Sequence, residues 1–343
     1  MLPISASFPA ATDSGALGVS QVKRLWARAL AARRGAQSFD PGDTQRDQFV
    51  IHALGLGLEQ TMQYLMQGAP EFAEFEGWIV ATAGEPDPAQ VRRINAALAG
   101  EPVPGPTQDW LTAVESAEPV LSADDLAHWD AHGYVIVRNA VPEAARSAAE
   151  QAIWTHLGAR VDDADSWYVP NDHGIMVQYF QHPAFTANRQ SSRIHKAFAQ
   201  LWRTADLWPS TDRVGFNVPE RPGWMFRGPH LHWDVSLKQP IPFGTQGILY
   251  LTDTPGAQGA FTCVPGFQRR VGAWLAGLPP GADARQEDLH ALGSKPIAGQ
   301  AGDLVIWHHA LPHGSRPNRG LRPRIVQYIN LRPYQVEEHS EWI

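Results

Sequence analysis

The ten residues Gly228–Leu237, GPHLHWDVSL, place two imidazoles and a carboxylate at alternate positions: His230, His232 and Asp234. On a strand all three would project from one face, because strand side chains alternate with a period of two. Imidazole together with carboxylate is a donor set for iron, manganese, copper or zinc. A lone His-x-Asp says little in a chain with 14 His, where a solvated strand end accounts for it as well. A second cluster carries more information. Residues 302–318, GDLVIWHHALPHGSRPN, read as a tight turn, an apolar strand and then His313 entering a Gly/Ser turn. A distal His added to His232 and Asp234 completes a facial two-His-one-carboxylate set, which leaves three adjacent positions open for a bidentate oxo-acid and dioxygen. Arg324 follows His313 by eleven residues. If His313 ends one strand and Arg324 sits on the next, its guanidinium can turn back into a barrel and grip a carboxylate through two parallel hydrogen bonds.

Other assignments compete at these positions. His230-x-His232-x-Asp234 also fits the zinc motif of metallo-β-lactamase-like hydrolases, but that motif wants a further His directly after the Asp, where Val235 stands. His230 is otherwise a packing residue or one facing substrate. His308 and His309 rival His313 but fall within the strand, before Leu311-Pro312. Arg322 rivals Arg324, although Pro323 marks Arg322 as a strand-edge residue. Asn217, Gln246 and Tyr250 are candidates to hydrogen-bond a co-substrate, and Gln178 and Trp307 to line the pocket. Asp303 and Pro265-Gly266 read as turn residues, with Arg269 and Arg270 available to an anionic substrate.

These residues need elements to hold them. Before about residue 100 the apolar spacing is helical over Val19–Arg34, Gln45–Met66 and Asp87–Leu98, the last with Asp87 as cap and Pro88 at its first position. Phe72, Phe75 and Trp78 form an aromatic patch that packs this region, the sharper alternative being a lid over an active site. Residues 101–120 shift to Pro, Gly and Glu and read as a linker. Ser122 and Asp125 then suggest a capping box opening a helix to His132. YVIVRNAV reads as a strand, and PEAARSAAEQAIWTHL as a helix ending at Gly158. The remainder reads mainly as short strands between Pro- and Gly-rich turns: GIMVQYF, RVGFNV, HLHWDVSL, TQGILYLTD, AFTCVP, GDLVIWH and RIVQYINLRP. Many short strands after an initial helix suggest a β-sandwich or a jelly-roll barrel.

Composition sets the outer bounds. The 343 residues are 43% hydrophobic and 18% charged, enough for a sizeable packed core. A net charge of -7 without long charged runs argues against a nucleic-acid groove or a polybasic membrane patch. The single cysteine, Cys263, allows no intramolecular disulfide and no multi-Cys zinc site. With no secretory pattern at the N-terminus and no apolar run near the ~20 residues of a membrane span, a cytoplasmic protein is expected.

HLHWDVSL, GILYLTD, GAFTCVPGFQRR, AGDLVIWHHALPHGSRPN and RPRIVQYI, in this order and spacing, resemble the phytanoyl-CoA dioxygenase family of iron(II)/2-oxoglutarate oxygenases across roughly residues 121–334. The resemblance implies a double-stranded β-helix over 121–343. It also implies His232, Asp234 and His313 as iron ligands and catalytic residues, and Arg324 as the anchor for 2-oxoglutarate. The implied activity is hydroxylation of an unactivated C–H bond of a small metabolite, using O2 and releasing succinate and CO2. In related halogenases the Asp position is Ala or Gly; Asp234 therefore points to hydroxylation. The alternatives are a non-catalytic barrel that binds metal or 2-oxoglutarate, and a zinc-dependent hydrolase. Residues 1–100 lie outside the resemblance and are read as a helical region serving as a lid or dimerisation element.

Overall fold

The computed structural model describes residues 8–36, 41–170, 172–339 and 341–343. It divides into two compact units. The first holds the described chain up to Ser116 with Trp208–Asp212 and Pro333–Gln335; the second holds Ala117–Leu207, Arg213–Arg332 and Val336–Ile343.

The first unit is helical: α1 (Val22–Arg33), α2 (Pro41–Ala53), α3 (Leu58–Gly68), α4 (Phe72–Ala83), α5 (Pro88–Ala99) and α6 (Gly105–Ser116). Asp87 caps α5 as expected, its carboxylate accepting from the Ala89 N–H at 2.7 Å. The helix expected over Gln45–Met66 is instead two, α2 and α3. Gly55 adopts φ +75° between them, a left-handed turn that glycine enters without the Cβ penalty. The expected linker also contains a helix. In α6, Leu111 and Val114 are buried one turn apart, and Gly105-Pro106 sits at the helix start, where the missing proline N–H costs nothing. Phe72, Phe75 and Trp78 lie on α4 and pack within this unit: Phe75 is fully buried, Trp78 stacks on Tyr64 at 4.4 Å, and Phe72 meets Trp26 at 5.5 Å.

The second unit contains α7 (Ala123–His132), α8 (Glu143–Leu157), α9 (Pro183–Arg189), α10 (Ser192–Trp202) and α11 (Val271–Ala276). The strands in chain order are β1 (Tyr134–Val137), β2 (Met176–Val177), β3 (Trp208–Pro209, belonging to the first unit), β4 (Val214–Asn217), β5 (Thr245–Tyr250), β6 (Thr262–Cys263), β7 (Lys295–Pro296), β8 (Leu304–His308), β9 (His313–Gly314), β10 (Arg324–Tyr328) and β11 (Leu331–Arg332). The Ser122–Asp125 capping box is present, each side chain meeting the other residue's backbone N–H.

Six strands form one antiparallel sheet in the order β1-β8-β5-β10-β4-β2, and a second sheet runs β7-β6-β9. Ile248, Tyr250, Val305, Trp307 and Val326 of the large sheet share one apolar core with Cys263, Phe261 and Ile297 from the other side. This is the double-stranded β-helix expected from sequence. Because strand side chains alternate, Arg324, Val326 and Tyr328 of β10 face that core, while Gln327 faces outward and bonds Asn188 of α9 at 2.9 Å. Two features depart from expectation. Helices α9 and α10 occupy a stretch read mainly as strands: His182 and Ser191 cap them, and Ile194, Ala197, Phe198 and Leu201 line one buried face of α10. HLHWDVSL is not a strand beyond one bridge, His232 to His313; the chain bends at Asp234 and Val235. Among the described residues no helix is long and apolar enough to cross a membrane.

Candidate metal centre

His313 opens β9, and its backbone exchanges two hydrogen bonds with His232: His232 N–H to His313 O at 2.9 Å, and His313 N–H to His232 O at 3.0 Å. Residues so paired stand directly opposite one another with side chains on the same face. The ring centroids are accordingly 4.8 Å apart. The bend after Trp233 then brings Asp234 between them. His232 Nε2 lies 3.2 Å from one carboxylate oxygen and His313 Nε2 lies 3.2 Å from the other. One donor atom from each of the three residues falls within 4.8 Å of the others.

The far side of each ring fixes its tautomer. His232 Nδ1 lies 2.7 Å from the His230 carbonyl, and His313 Nδ1 lies 3.0 Å from the Leu311 carbonyl. A carbonyl can only accept, so Nδ1 carries a proton and Nε2 is the nitrogen turned toward the carboxylate, donating to it while protonated and free to offer its lone pair to a metal once deprotonated. Backbone-tied histidines of this kind are the usual supports of a metal ligand. The carboxylate is supported as well. Trp307 donates its indole N–H to Gln246 Oε1 at 3.1 Å, which leaves the Gln246 amide N–H2 to donate to Asp234 Oδ2 at 2.7 Å. Gln246 and Trp307 are register partners on β5 and β8, so the sheet sets this relay. Burial works against charge on Asp234, but the hydrogen bonds and charges of His232 and His313 outweigh it, and the carboxyl sits well below the ordinary carboxylate range. Burial likewise opposes the charged form of His232, yet Asp234 holds that imidazole above its usual pKa. Two neutral-capable imidazole nitrogens converging on an anionic carboxylate suit a divalent transition metal.

Arg324, the first residue of β10, is 0% exposed. Its Nη1 donates to Ser315 Oγ at 2.9 Å, while Nε and Nη2 have no acceptor among the described residues. Buried donors left unfilled are uncommon and costly, and an anion held bidentately would satisfy them. Tyr328, four residues along the same inner face, is pushed up in pKa by burial, with Arg324 pulling the other way.

The remaining candidates separate clearly. His230 contributes its backbone carbonyl; its ring is exposed and meets Phe226 edge-on at 5.3 Å. His309 bonds the Pro242 carbonyl at 2.6 Å, and His308 accepts from the Ala310 N–H at 3.1 Å. Neither joins the cluster, and burial holds His308 down to about 4. Gln246, read as a co-substrate contact, binds Asp234. The Tyr250 hydroxyl is committed to the barrel, donating to Ile297 O at 2.7 Å and accepting from Phe261 N–H. Asn217 pairs with Arg324 across β4 and β10 and donates to the Arg316 carbonyl at 3.1 Å. Gln178 has a buried amide nitrogen without an acceptor. Asp303 fixes its turn by accepting from Gln300 N–H at 2.8 Å. Arg322 is exposed, and Arg270 lies over the Phe267 ring at 5.4 Å. Sequence reasoning missed Ser315, although it sits in the His-Gly-Ser turn two residues after His313.

A family profile described as phytanoyl-CoA dioxygenase matches residues 129–326, more than half of the chain. A curated Dictyostelium discoideum protein with phytanoyl-CoA dioxygenase in its name is 21% identical over 258 residues, covering 60% of this chain and 74% of that protein. Among solved structures, EctD from S. alaskensis with bound Fe has a TM-score of 0.46 at 17% identity, over 65% of this chain and 81% of that one. HygX from Streptomyces hygroscopicus, with nickel and 2-oxoglutarate bound, has a TM-score of 0.44 at 13% identity, over 63% and 88%. The nogalamycin-biosynthesis epimerase SnoN, described as non-heme and alpha-ketoglutarate dependent, has 0.44 at 17%, over 65% and 81%.

Proposed function

The chain belongs to the phytanoyl-CoA dioxygenase family, and on that premise we propose that it is an iron(II)/2-oxoglutarate-dependent oxygenase acting on a small molecule. The observation that carries this reading is the convergence of His232, Asp234 and His313, with both Nδ1 protons tied to backbone carbonyls and both Nε2 atoms on the carboxylate. Arg324 supports it independently, as a fully buried guanidinium with two unfilled donors.

When bound, iron(II) with 2-oxoglutarate and dioxygen supplies the oxidising chemistry, coupled to release of succinate and CO2. The protein's part is placement. His232 and His313 offer Nε2 from opposed strand positions, and Asp234 closes the third side, so that the remaining positions lie together. Gln246 and Trp307 keep the carboxylate from rotating away. Arg324, aided by Ser315, holds the distal carboxylate of the co-substrate, where its charge is unscreened by water. Asp234 fills the position that halogenases leave open, which favours hydroxylation of a C–H bond as the outcome.

Anaerobic iron(II) and 2-oxoglutarate added to the protein should give a weak visible charge-transfer band, and aerobic turnover with substrate should yield succinate. Asp234→Ala should abolish the substrate-coupled part. Equal succinate from wild type and variant, or oxygen-independent hydrolysis restored by zinc, would overturn the reading.

A further inference from the structure

The three proposed ligands are not held equally. His232 and His313 are locked by their mutual backbone hydrogen bonds, but Asp234 lies beyond the bridge, on a stretch that bends and has no sheet partner. Trp233 anchors one side of it through its indole N–H to Ala310 O at 2.9 Å. On the other side Ser236 donates to Glu341 O at 2.7 Å and Leu237 N–H to Ile343 O at 3.0 Å, and Arg285, about fifty residues later, reaches both flanks of Asp234. Asp283 caps a single 3-10 turn, Ala284–Gln286, by accepting from the Arg285 N–H at 2.9 Å. From there Arg285 Nη1 donates to Trp233 O at 2.9 Å and Nη2 donates to Val235 O at 2.7 Å. These are the carbonyls on either side of Asp234. Nη2 also meets Ile343 O at 3.0 Å, and the guanidinium lies 4.7 Å from the centre of the Trp342 ring.

Arg285 Nη1 and Nη2 thus clasp the carbonyls on either side of Asp234 across the curl of the chain there. That curl is also what returns the carboxylate to the two imidazoles. We infer that Arg285 is a positioning residue for Asp234: its planar fork holds the bend that aims the carboxylate into the metal centre. The side-chain bonds of Arg285 go to backbone carbonyls and to none of the three proposed ligand side chains, and the inference rests on the metal-site reading above. Lysine offers a compact ammonium in place of the planar fork, so it keeps the charge but not the two separate arms that reach the two carbonyls.

The test is metal binding by the apo protein, using cobalt(II) alone under anaerobic conditions, with Tm recorded in parallel. Loss of an outer support typically weakens metal binding about 10–100-fold, and that loss is expected for Arg285→Met. Its cobalt(II) visible spectrum should move toward that of Asp234→Ala. Arg285→Lys should recover part of the affinity, and it carries the comparison alone if the Met variant does not fold. A role confined to stability would lower Tm and leave affinity and spectrum unchanged. Wild-type binding with Arg285→Met, or with Arg285→Lys if the Met variant does not fold, within about twofold of it and an unshifted spectrum would overturn the positioning role alone. No cobalt(II) binding by wild type would overturn the metal-site reading and this inference with it.

Discussion

Asp234 shares its two oxygens among His232, His313 and Gln246, and Arg324 has two donors, Nε and Nη2, without an acceptor among the described residues. The two residues make opposite statements about stability. Asp234 is satisfied by its neighbours, whereas Arg324 is a buried charge awaiting a counter-charge. Replacing a buried, poorly compensated ion with an apolar group of similar size is often neutral or stabilising. Arg324→Met should therefore leave the Tm of the co-substrate-free protein equal or higher, while the rise in Tm on adding 2-oxoglutarate with metal disappears. A thermal-shift titration decides this; a variant that keeps the full co-substrate shift would remove Arg324 from the anchoring role. At this scale the sequence singled out His232, Asp234, His313 and Arg324 as candidates by residue type and order, although a bend replaces the strand alternation expected between His232 and Asp234. It was silent on Arg285, whose partners are backbone carbonyls some fifty residues away, and it misplaced Gln246, whose partner depends on a register set by β5 and β8.

The elements act through close approach. Gly314, on β9 between His313 and Ser315, has no room for a side chain: a Cβ there would lie 2.4 Å from the His230 carbonyl oxygen and 2.7 Å from its carbon, both backbone. His230 O is the acceptor that orients His232. Gly314→Ala must therefore push β9 away from the ligand-bearing stretch, loosening the bridge that sets the two histidines face to face. Overpacking of this kind costs about 1–3 kcal/mol, and here it should weaken cobalt(II) binding as well as lower Tm. Unaltered metal affinity in a folded Gly314→Ala protein would show that the bridge is not what holds the pair. The strands β4, β5, β8 and β10 were legible as short apolar runs between turns. Helices α9 and α10 were not, since their caps, His182 and Ser191, sit in a stretch whose aromatic and branched residues suit either period.

The two units carry different titrations. In the first, Asp43 and Asp47 lie among Arg24, Arg28 and Gln21. Burial pushes Asp47 up to about 6, more than Gln21 and Arg28 pull it down. For Asp43 burial also raises, but Arg24 and Arg28 win and the carboxyl falls below its ordinary value. A raised Asp47 keeps its proton in the folded state after the unfolded chain has lost it. Its contribution is thus fully present below about pH 4 and is lost as pH climbs through about 6, a change on the order of 3 kcal/mol. Asp43 runs the other way, stabilising above its unfolded pKa and failing as pH falls. Asp47→Asn removes only the first effect, so the variant should gain on wild type between pH 4 and 6 and hold that advantage above. Denaturant melts at pH 4.5 and 7.5 check it; a difference that does not change with pH would refute the assignment.

By itself the sequence singled out His232, Asp234 and His313 as candidate ligands, because residue types and their order are local features, while the barrel class and the candidate anchor Arg324 came with the family resemblance. Tertiary structure decided that Asp234 reaches the histidines by a bend instead of strand alternation, and that the residues read as a linker fold into α6. It also brought Gln246 against Asp234, Trp307 against Gln246, Ser315 against Arg324, and Arg285 against the carbonyls flanking Asp234. Those outcomes depend on which backbone carbonyls lose their sheet partners and which distant donors come within reach of them, and no local pattern encodes either.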